Sequence, residues 1–169
     1  MHLLKKLFAA AAFATVSLSA HATQADIKVW ATVDPTLALL KADGTALDDM
    51  VEMSHRPGAA GTGGLTPWSQ SVRIFTNDDQ KDVQIRLGQE AKLSATLGGG
   101  ADVPLTVSLG GNDITTTEKT LTAAQLFDGT DITGASIALP LTIKQTTQAA
   151  ITTAGLYEGI VSIVLMQAP

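Results

Sequence analysis

Apolar and polar residues alternate along several stretches of this 169-residue chain, and that alternation limits the folds that it can adopt. The stretches are residues 27–33, 83–87, 103–109 and 137–143. Successive side chains of a β-strand point to opposite faces of a sheet, whereas a helix with one apolar face repeats its apolar residues every three or four positions. The chain is therefore predicted to consist of half-buried strands in an all-β fold.

Further strands are predicted between the turn residues. Residues 70–76 and 83–87 flank the polar segment 77–80 and are predicted to form a β-hairpin. Pro140 has no amide hydrogen for a ladder, so its strand is expected at a sheet edge or at a bulge. Residues 156–166 are apolar on both faces and are expected to form one strand deep in a sheet. Three shorter strands are predicted at 50–53, 93–97 and 114–119.

Glycine, proline and polar residues mark the predicted loops and turns. Residues 56–67 contain four glycines and two prolines and are predicted to form a surface loop. The pair Asp43 and Gly44 predicts a turn. Thr122 and Gln125 fit a capping box ahead of two apolar residues, which predicts one short helical turn. Eight or nine strands with close turns and little helix are typical of a β-sandwich with immunoglobulin-like spacing.

The first 22 residues are predicted to be a cleaved secretory signal peptide. Lys5 and Lys6 precede an apolar run at 7–16, and residues 20–22 (AHA) form a small-residue cleavage site. The run is too short to span a bilayer, which takes about 20 residues. Removal of residues 1–22 leaves 169 − 22 = 147 residues, which is the size of one domain.

Composition argues against several classes of function. Without the two signal lysines the formal charge is (11 − 2) − 16 = −7, which disfavours nucleic acids and anionic membranes as partners. No stretch after the signal is long and apolar enough to insert into a membrane. His55 is the only histidine after the signal and there is no cysteine, so no metal site is predicted. Trp30, Trp68 and Tyr157 are too scattered for an aromatic binding platform. No catalytic, cofactor-binding or metal-binding residue is therefore assigned.

Four blocks of sequence carry a resemblance to one protein family. The blocks are 27–35 with 39–40 and 42–47, then 75–78, then 104–111 with 115–117, and finally 154–164. They resemble the major pilins of α-class chaperone–usher fimbriae, the colonisation-factor antigen family. The blocks extend along the whole mature chain, and the first and the last are the most specific.

This resemblance implies an incomplete immunoglobulin-like β-sandwich that is completed by a donor strand from a neighbouring subunit. Donor-strand complementation of pilins is itself an established mode of β-strand addition. Residues 23–35 would form the N-terminal donor-strand extension, and residues 36–169 the pilin domain. The inserted side chains would be Ile27, Val29, Ala31 and Val33. The C-terminal strand would border the groove and first bind a chaperone, through Gly159, Val161, Ile163 and Leu165.

The implied function is that of the major structural subunit of a bacterial surface fimbria, exported through the periplasm and supporting cell adhesion. The implied partners are identical subunits, a periplasmic chaperone, an outer-membrane usher and a tip adhesin subunit. Two other functions remain open: an exported adhesin or carbohydrate-binding β-sandwich module, and a periplasmic enzyme. The single histidine disfavours the enzyme, and a tip adhesin of this family resembles a longer, two-domain protein, so the chain length favours the shaft.

Overall fold

The computed structural model describes residues 36–59 and 61–169. The predicted signal peptide, residues 1–22, and the predicted extension, residues 23–35, lie outside the described residues. So do the predicted donor residues Ile27, Val29, Ala31 and Val33. The described part therefore covers the predicted pilin domain apart from residue 60.

Strands dominate the described residues, which confirms the predicted fold class. The helix found among them, α1, has only five residues. In chain order the elements are β1 (Leu37–Lys41), β2 (His55–Arg56), β3 (Gly64–Leu65), β4 (Trp68–Thr76), β5 (Val83–Leu87), β6 (Lys92–Leu97), β7 (Val103–Leu109), β8 (Asn112–Ile114), β9 (Lys119–Leu121), α1 (Ala123–Phe127), β10 (Leu139–Gln145), β11 (Leu156–Glu158) and β12 (Ile163–Gln167).

The strands form two main sheets that share one core. The larger sheet has the order β1-β4-β10-β7-β6-β11, with β8 added to β7. The smaller sheet has the order β12-β5-β9, and β2 and β3 form a separate short pair. Every pair of named strands is antiparallel. One apolar cluster contains buried residues from both main sheets, so the two sheets pack as a β-sandwich.

The predicted alternation is confirmed where strands face this core. In β5, Val83, Ile85 and Leu87 are buried, while Gln84 and Arg86 are only partly covered. In β7 every second residue from Val103 to Leu109 is buried in the same way. The period of two residues therefore identified the inward face of both strands correctly.

The capping box at the start of α1 is also confirmed. The Gln125 amide donates to Thr122 Oγ1 over 3.2 Å, and the Thr122 amide donates to Gln125 Oε1 over 3.1 Å. Leu126 and Phe127 are buried beneath this turn. Reciprocal bonds of this kind satisfy amides that the first turn of a helix leaves without partners.

The predicted hairpin between residues 70–76 and 83–87 is wrong. β4 pairs with β1 and β10 in the larger sheet, whereas β5 pairs with β12 and β9 in the smaller one. Residues 77–82 therefore cross from one layer to the other. Both strands bury alternate apolar side chains, and placing them in opposite layers lets both rows enter the same core.

The expectation that Pro140 marks an edge strand or a bulge is also wrong, because β10 lies between β4 and β7. Pro140 is the second residue of β10, and pairing with β7 begins only at Leu141, opposite the last residue of β7. The Gly110 amide donates to the Pro140 carbonyl over 2.9 Å. The proline thus lies near the start of its strand, beyond the end of β7, where its missing amide hydrogen breaks no ladder bond.

The segment 156–166 does not form one strand deep in a sheet. It divides into β11, at one edge of the larger sheet, and β12, at one edge of the smaller sheet. Residues 159–162 connect the two. The chain changes sheets within this link, and one continuous strand could not pair with both β6 and β5.

Two shorter strand predictions are wrong as well. Residues 50–53 have no regular structure, and the Met50 side chain is 89% exposed. The predicted strand at 114–119 is interrupted, because Ile114 ends β8 and Lys119 begins β9. Both segments are short, and the strand preference of so few residues is weaker than the effect of how the neighbouring strands pair.

Candidate subunit interface

One side of the sandwich carries two neighbouring sheet edges. Among the described residues, β1 pairs only with β4, and β12 pairs only with β5. β1 and β12 also contact each other across the space between the sheets. On this side the sandwich therefore presents two adjacent edges whose outer hydrogen-bonding groups have no strand partner within the described part.

The β12 edge is longer than the strand assignment alone suggests. Ile163 pairs with Leu87 at one end and Gln167 with Val83 at the other. The Gly88 amide donates to the Ser162 carbonyl over 2.8 Å, and the Ala168 amide donates to the Asp82 carbonyl over 2.9 Å. Residues 162–168 thus follow β5 as seven consecutive extended residues.

Half-buried apolar side chains lie along both edges. Ile163 and Leu165 of β12 and the preceding Val161 are only partly buried, and they pack against the core. Leu37 and Leu39 of β1 do the same from the other sheet. We call these two apolar rows, together with the strand edges that carry them, the edge groove.

Of the four predicted groove residues, Gly159 lies apart from the others. It precedes β12, and a Cβ atom at this position would overlap the Lys92 carbonyl oxygen of β6. Only a residue without a side chain allows the two backbones to approach so closely. The structure therefore brings Val161, Ile163 and Leu165 together along the edge groove and places Gly159 beside β6.

A turn at residues 77–80 joins the start of β1 to the end of β12. The Thr36 amide donates to Asn77 Oδ1 over 3.0 Å. The Gln167 side chain donates from Nε2 to the Asp78 carbonyl over 2.9 Å. We call residues 77–80 the exit turn, because the predicted N-terminal extension would join the domain beside it at Thr36.

The opposite end of β12 carries a surface depression. Ile160 is 72% exposed there, and Gln89 Nε2 donates to its carbonyl over 3.5 Å. Lys92 Nζ lies 2.6 Å from Asp102 Oδ2, and this hydrogen bond raises the pKa of Lys92 and lowers the pKa of Asp102. The depression is lined by Gln89, Glu90, Lys92, Ser94, Glu158 and Ile160, among others, and we call it the Ile160 depression.

Most of the sequence matches a known family. The model of the CS1 type fimbrial major subunit matches residues 23–166. The chain belongs to this family. The matched range includes the predicted extension and all but the last three of the described residues, so the resemblance seen in the four sequence blocks is confirmed.

Two relatives of this pilin are similar over nearly their full lengths. A CFA/I fimbrial subunit of Escherichia coli O78:H11 (strain H10407 / ETEC) is 36% identical, over 95% of this chain and 96% of the relative. A CS1 fimbrial subunit of Escherichia coli is 32% identical, over 96% of each chain. These relatives and the family agree that the pilin is a major structural subunit of a fimbria.

The fold of the pilin matches a solved pilin structure. The CooA pilin subunit from enterotoxigenic Escherichia coli superposes with a TM-score of 0.68 and is 28% identical. The match covers 79% of this chain and 88% of the CooA chain. The β-sandwich described above is therefore the immunoglobulin-like pilin fold.

Sequence reasoning missed the residues that close one end of the edge groove. Asn77 and Asp78 belong to a block that resembles the family, but their sequence indicates only a polar turn. Gln167 reaches Asp78 across 89 positions of the chain, and no local pattern indicates such a contact. The sequence does contain a signal for Ile160, because it is an apolar residue on the face opposite to that of Gly159, Val161 and Ile163.

Within the described residues, no helix of the pilin is long and apolar enough to cross a membrane. No group of three or more His, Cys, Asp or Glu side chains in this part is arranged to hold a metal ion.

Proposed function

We propose that this pilin forms the shaft of a fimbria by donor-strand exchange, in which residues 23–33 of one copy fill the edge groove of the next. The observation that carries the proposal is the pair of adjacent edges of β1 and β12, lined by half-buried Ile163 and Leu165. An inserted strand would pair with these edges and cover the apolar rows. It would also remove an exposed edge that otherwise favours aggregation.

The predicted donor strand suits this groove in length and in pattern. Residues 27–33 are seven residues long, as is the extended edge at 162–168. Ile27, Val29, Ala31 and Val33 would point inward, toward the apolar rows. Burial of the three larger side chains contributes about 1.5–3 kcal/mol each, less where burial is incomplete. Each ladder hydrogen bond adds about 1 kcal/mol net.

This contact generates a filament because it joins two different surfaces of the same molecule. The extension of one copy and the groove of another are not related by a two-fold axis, so the contact does not close on itself. Withdrawal of a donor requires a whole strand to leave at once. The filament is therefore expected to be kinetically persistent.

The same groove gives the assembly partners their roles in this proposal. Before polymerisation, a periplasmic chaperone would supply a temporary strand beside β12 and shield Val161, Ile163 and Leu165. An outer-membrane usher would then exchange this strand for the donor of the next copy, and a tip adhesin subunit would occupy the end of the filament. The pilin would thus pass through the periplasm and act as a structural protein at the cell surface, without an enzymatic activity.

A deletion and a peptide test the proposal. Mature protein that lacks residues 23–33 is expected to keep an unfilled groove, to aggregate, and to become soluble when a peptide of residues 23–33 is added. A self-sufficient adhesin or carbohydrate-binding module would tolerate the deletion. Solubility and cooperative unfolding of the deleted protein without the peptide would therefore contradict the proposal.

A single substitution tests the inward face of the donor. Val29→Lys places a charge where the proposal requires burial, so fibres should be lost, whereas capture by the chaperone should be unchanged because it uses the groove. Lys28→Gln changes a neighbouring residue on the outward face and serves as the matched control. Electron microscopy of the cells measures fibre formation, and normal fibres from Val29→Lys would show that the inward face is assigned wrongly.

A further inference from the structure

A short link between the donor strand and the domain forces successive copies into contact. This step rests on the proposed function. Val33 and Thr36 are three residues apart, so their Cα atoms are separated by at most about 11 Å. Pro35 within this link also restricts the backbone. The domain of the donating copy must therefore touch the accepting copy at the point where the strand emerges from the groove.

The donating side of this contact is fixed by the exit turn. Thr36 is hydrogen-bonded to Asn77, and Asp78 is hydrogen-bonded to Gln167 at the end of β12. The extension therefore joins the domain at this end of the sandwich. The surface of the accepting copy that lies beside the emerging strand must therefore also contact residues 77–80 of the donating copy.

The accepting side depends on the direction of the inserted strand. A strand antiparallel to β12 emerges beside Ser162, next to Ile160, whereas a parallel strand emerges beside Ala168, at the acceptor's own exit turn. β1 begins and β12 ends at the exit turn, so a strand between them is antiparallel to one and parallel to the other. Antiparallel pairing is slightly more stable per residue and is expected along β12, which offers the longer edge. The acceptor's own extension also leaves at its exit turn, which crowds that end. Both arguments place the emerging strand at Ile160.

We infer that the Ile160 depression of each copy is the seat for the Pro35 link and exit turn of the neighbouring copy. Ile160 is 72% exposed in the single chain, although its side chain is large and apolar. The link and the exit turn would cover it in the filament. The side chains around it, Gln89, Glu90, Lys92 and Glu158, supply a polar rim such as surrounds the apolar centre of protein interfaces.

The absence of cysteine from the sequence makes this contact directly testable. The double variant Gln80→Cys/Ile160→Cys is expressed in cells that assemble fibres, and the intact fibres are treated with a short bis-maleimide. Gln80 and Ile160 are both exposed, so the single chain should tolerate both changes. We expect a ladder of covalent oligomers on a denaturing gel, and only single subunits from either single variant.

The matched control is Gln80→Cys/Lys144→Cys, because Lys144 is exposed on β10, in the interior of the larger sheet. Fibres of this control should give no ladder. Cross-linking of Gln80→Cys alone would show that two exit turns meet, and an absent ladder from Gln80→Cys/Ile160→Cys in fibres whose thiols react would show that the seat lies elsewhere. Either result overturns the inference while leaving donor-strand exchange intact. Failure of the parent chain to form fibres would instead overturn the proposed function and the inference with it.

Discussion

A single buried arginine holds a long surface loop on the outer face of the larger sheet. Arg73 Nη1 donates to the Ser136 carbonyl over 2.7 Å, and Nη2 lies 2.8 Å from Asp131 Oδ1. Ser136 Oγ in turn accepts a hydrogen bond from the Ile74 amide over 2.9 Å. The two terminal nitrogens of Arg73 are therefore bonded to the loop, whereas its Nε is buried without a hydrogen-bond partner. Hydrogen bonds to a buried charged group are among the stronger ones.

The pairing with Arg73 should make stability depend on pH in the acid range. A hydrogen bond from its own backbone amide, and then the Arg73 side chain, lower the pKa of Asp131 from 3.8. A carboxyl with a lowered folded-state pKa stabilises the protein above its unfolded pKa, and this contribution is lost as pH falls through the folded pKa. Asp131→Asn should therefore reduce the urea midpoint at pH 7, and the difference from the parent should disappear well below pH 4.

Asp128→Asn is the control for this measurement, because Asp128 is exposed and lies in the same connection. The unfolding is followed by circular dichroism of the mature chain completed with the peptide of residues 23–33. A difference between Asp131→Asn and the parent that is equal at pH 7 and at low pH would contradict the ion pair as its cause.

At the scale of the elements, two glutamines fasten the glycine-rich loop to the sandwich. The buried Gln145 side chain accepts from the Leu65 amide over 3.1 Å and donates to the Ala149 carbonyl over 3.0 Å. Gln148 Nε2 donates to the Gly63 carbonyl over 2.8 Å. The β2–β3 pair has only two residues in each strand, so these side-chain bonds rather than its own ladder fix it in place.

Replacement of Gln145 by leucine should release this loop without dissolving the sandwich. The change leaves the Leu65 amide and the Ala149 carbonyl without partners, at a cost of about 1–3 kcal/mol. Hydrogen exchange of the Leu65 amide in assembled fibres should accelerate, and limited proteolysis should cut within 57–63. Gln70→Leu, which replaces a less buried glutamine on β4, is the matched control and should leave exchange at Leu65 unchanged. Unchanged hydrogen exchange of the Leu65 amide in Gln145→Leu would show that the β2–β3 pair is held by its own backbone hydrogen bonds.

The sequence predicted the local form of the strands better than their arrangement. The inward rows of β5 and β7 follow from alternation, and the start of α1 follows from its capping box, because both depend on neighbours a few positions away. The partners of β4 and the interior place of Pro140 depend on residues far along the chain. The same division applies at the candidate interface: the resemblance to the pilin family indicated Ile163 and Leu165, whereas the Gln167–Asp78 bond could not be read from the sequence.

At the scale of the whole molecule, the two ends of β12 carry different surface features, which gives the molecule a donating end and an accepting side in the proposed filament. The exit turn lies at one end of β12 and the Ile160 depression at the other, with the edge groove between them. In the proposed filament each copy donates at one end and accepts along the groove. The orientation of each copy relative to the next would then follow from the position of Thr36 relative to β12 and from the contact of the exit turn with the Ile160 depression.

The rate at which assembled fibres release subunits in denaturant should show which residues of the donor strand are held in the groove. Ile27→Ala, Val29→Ala and Val33→Ala would each remove methyl groups that the proposal places in the groove, at a cost of about 1–3 kcal/mol. If the donor leaves the groove as one strand, this cost raises the rate of subunit release in denaturant by roughly 5-fold to 150-fold. Lys28→Ala and Thr32→Ala, on the outward face, should change the rate by less than about threefold. Release rates that rise equally for both sets would show that the strand is not held by one face, and that the edge groove is not its binding site.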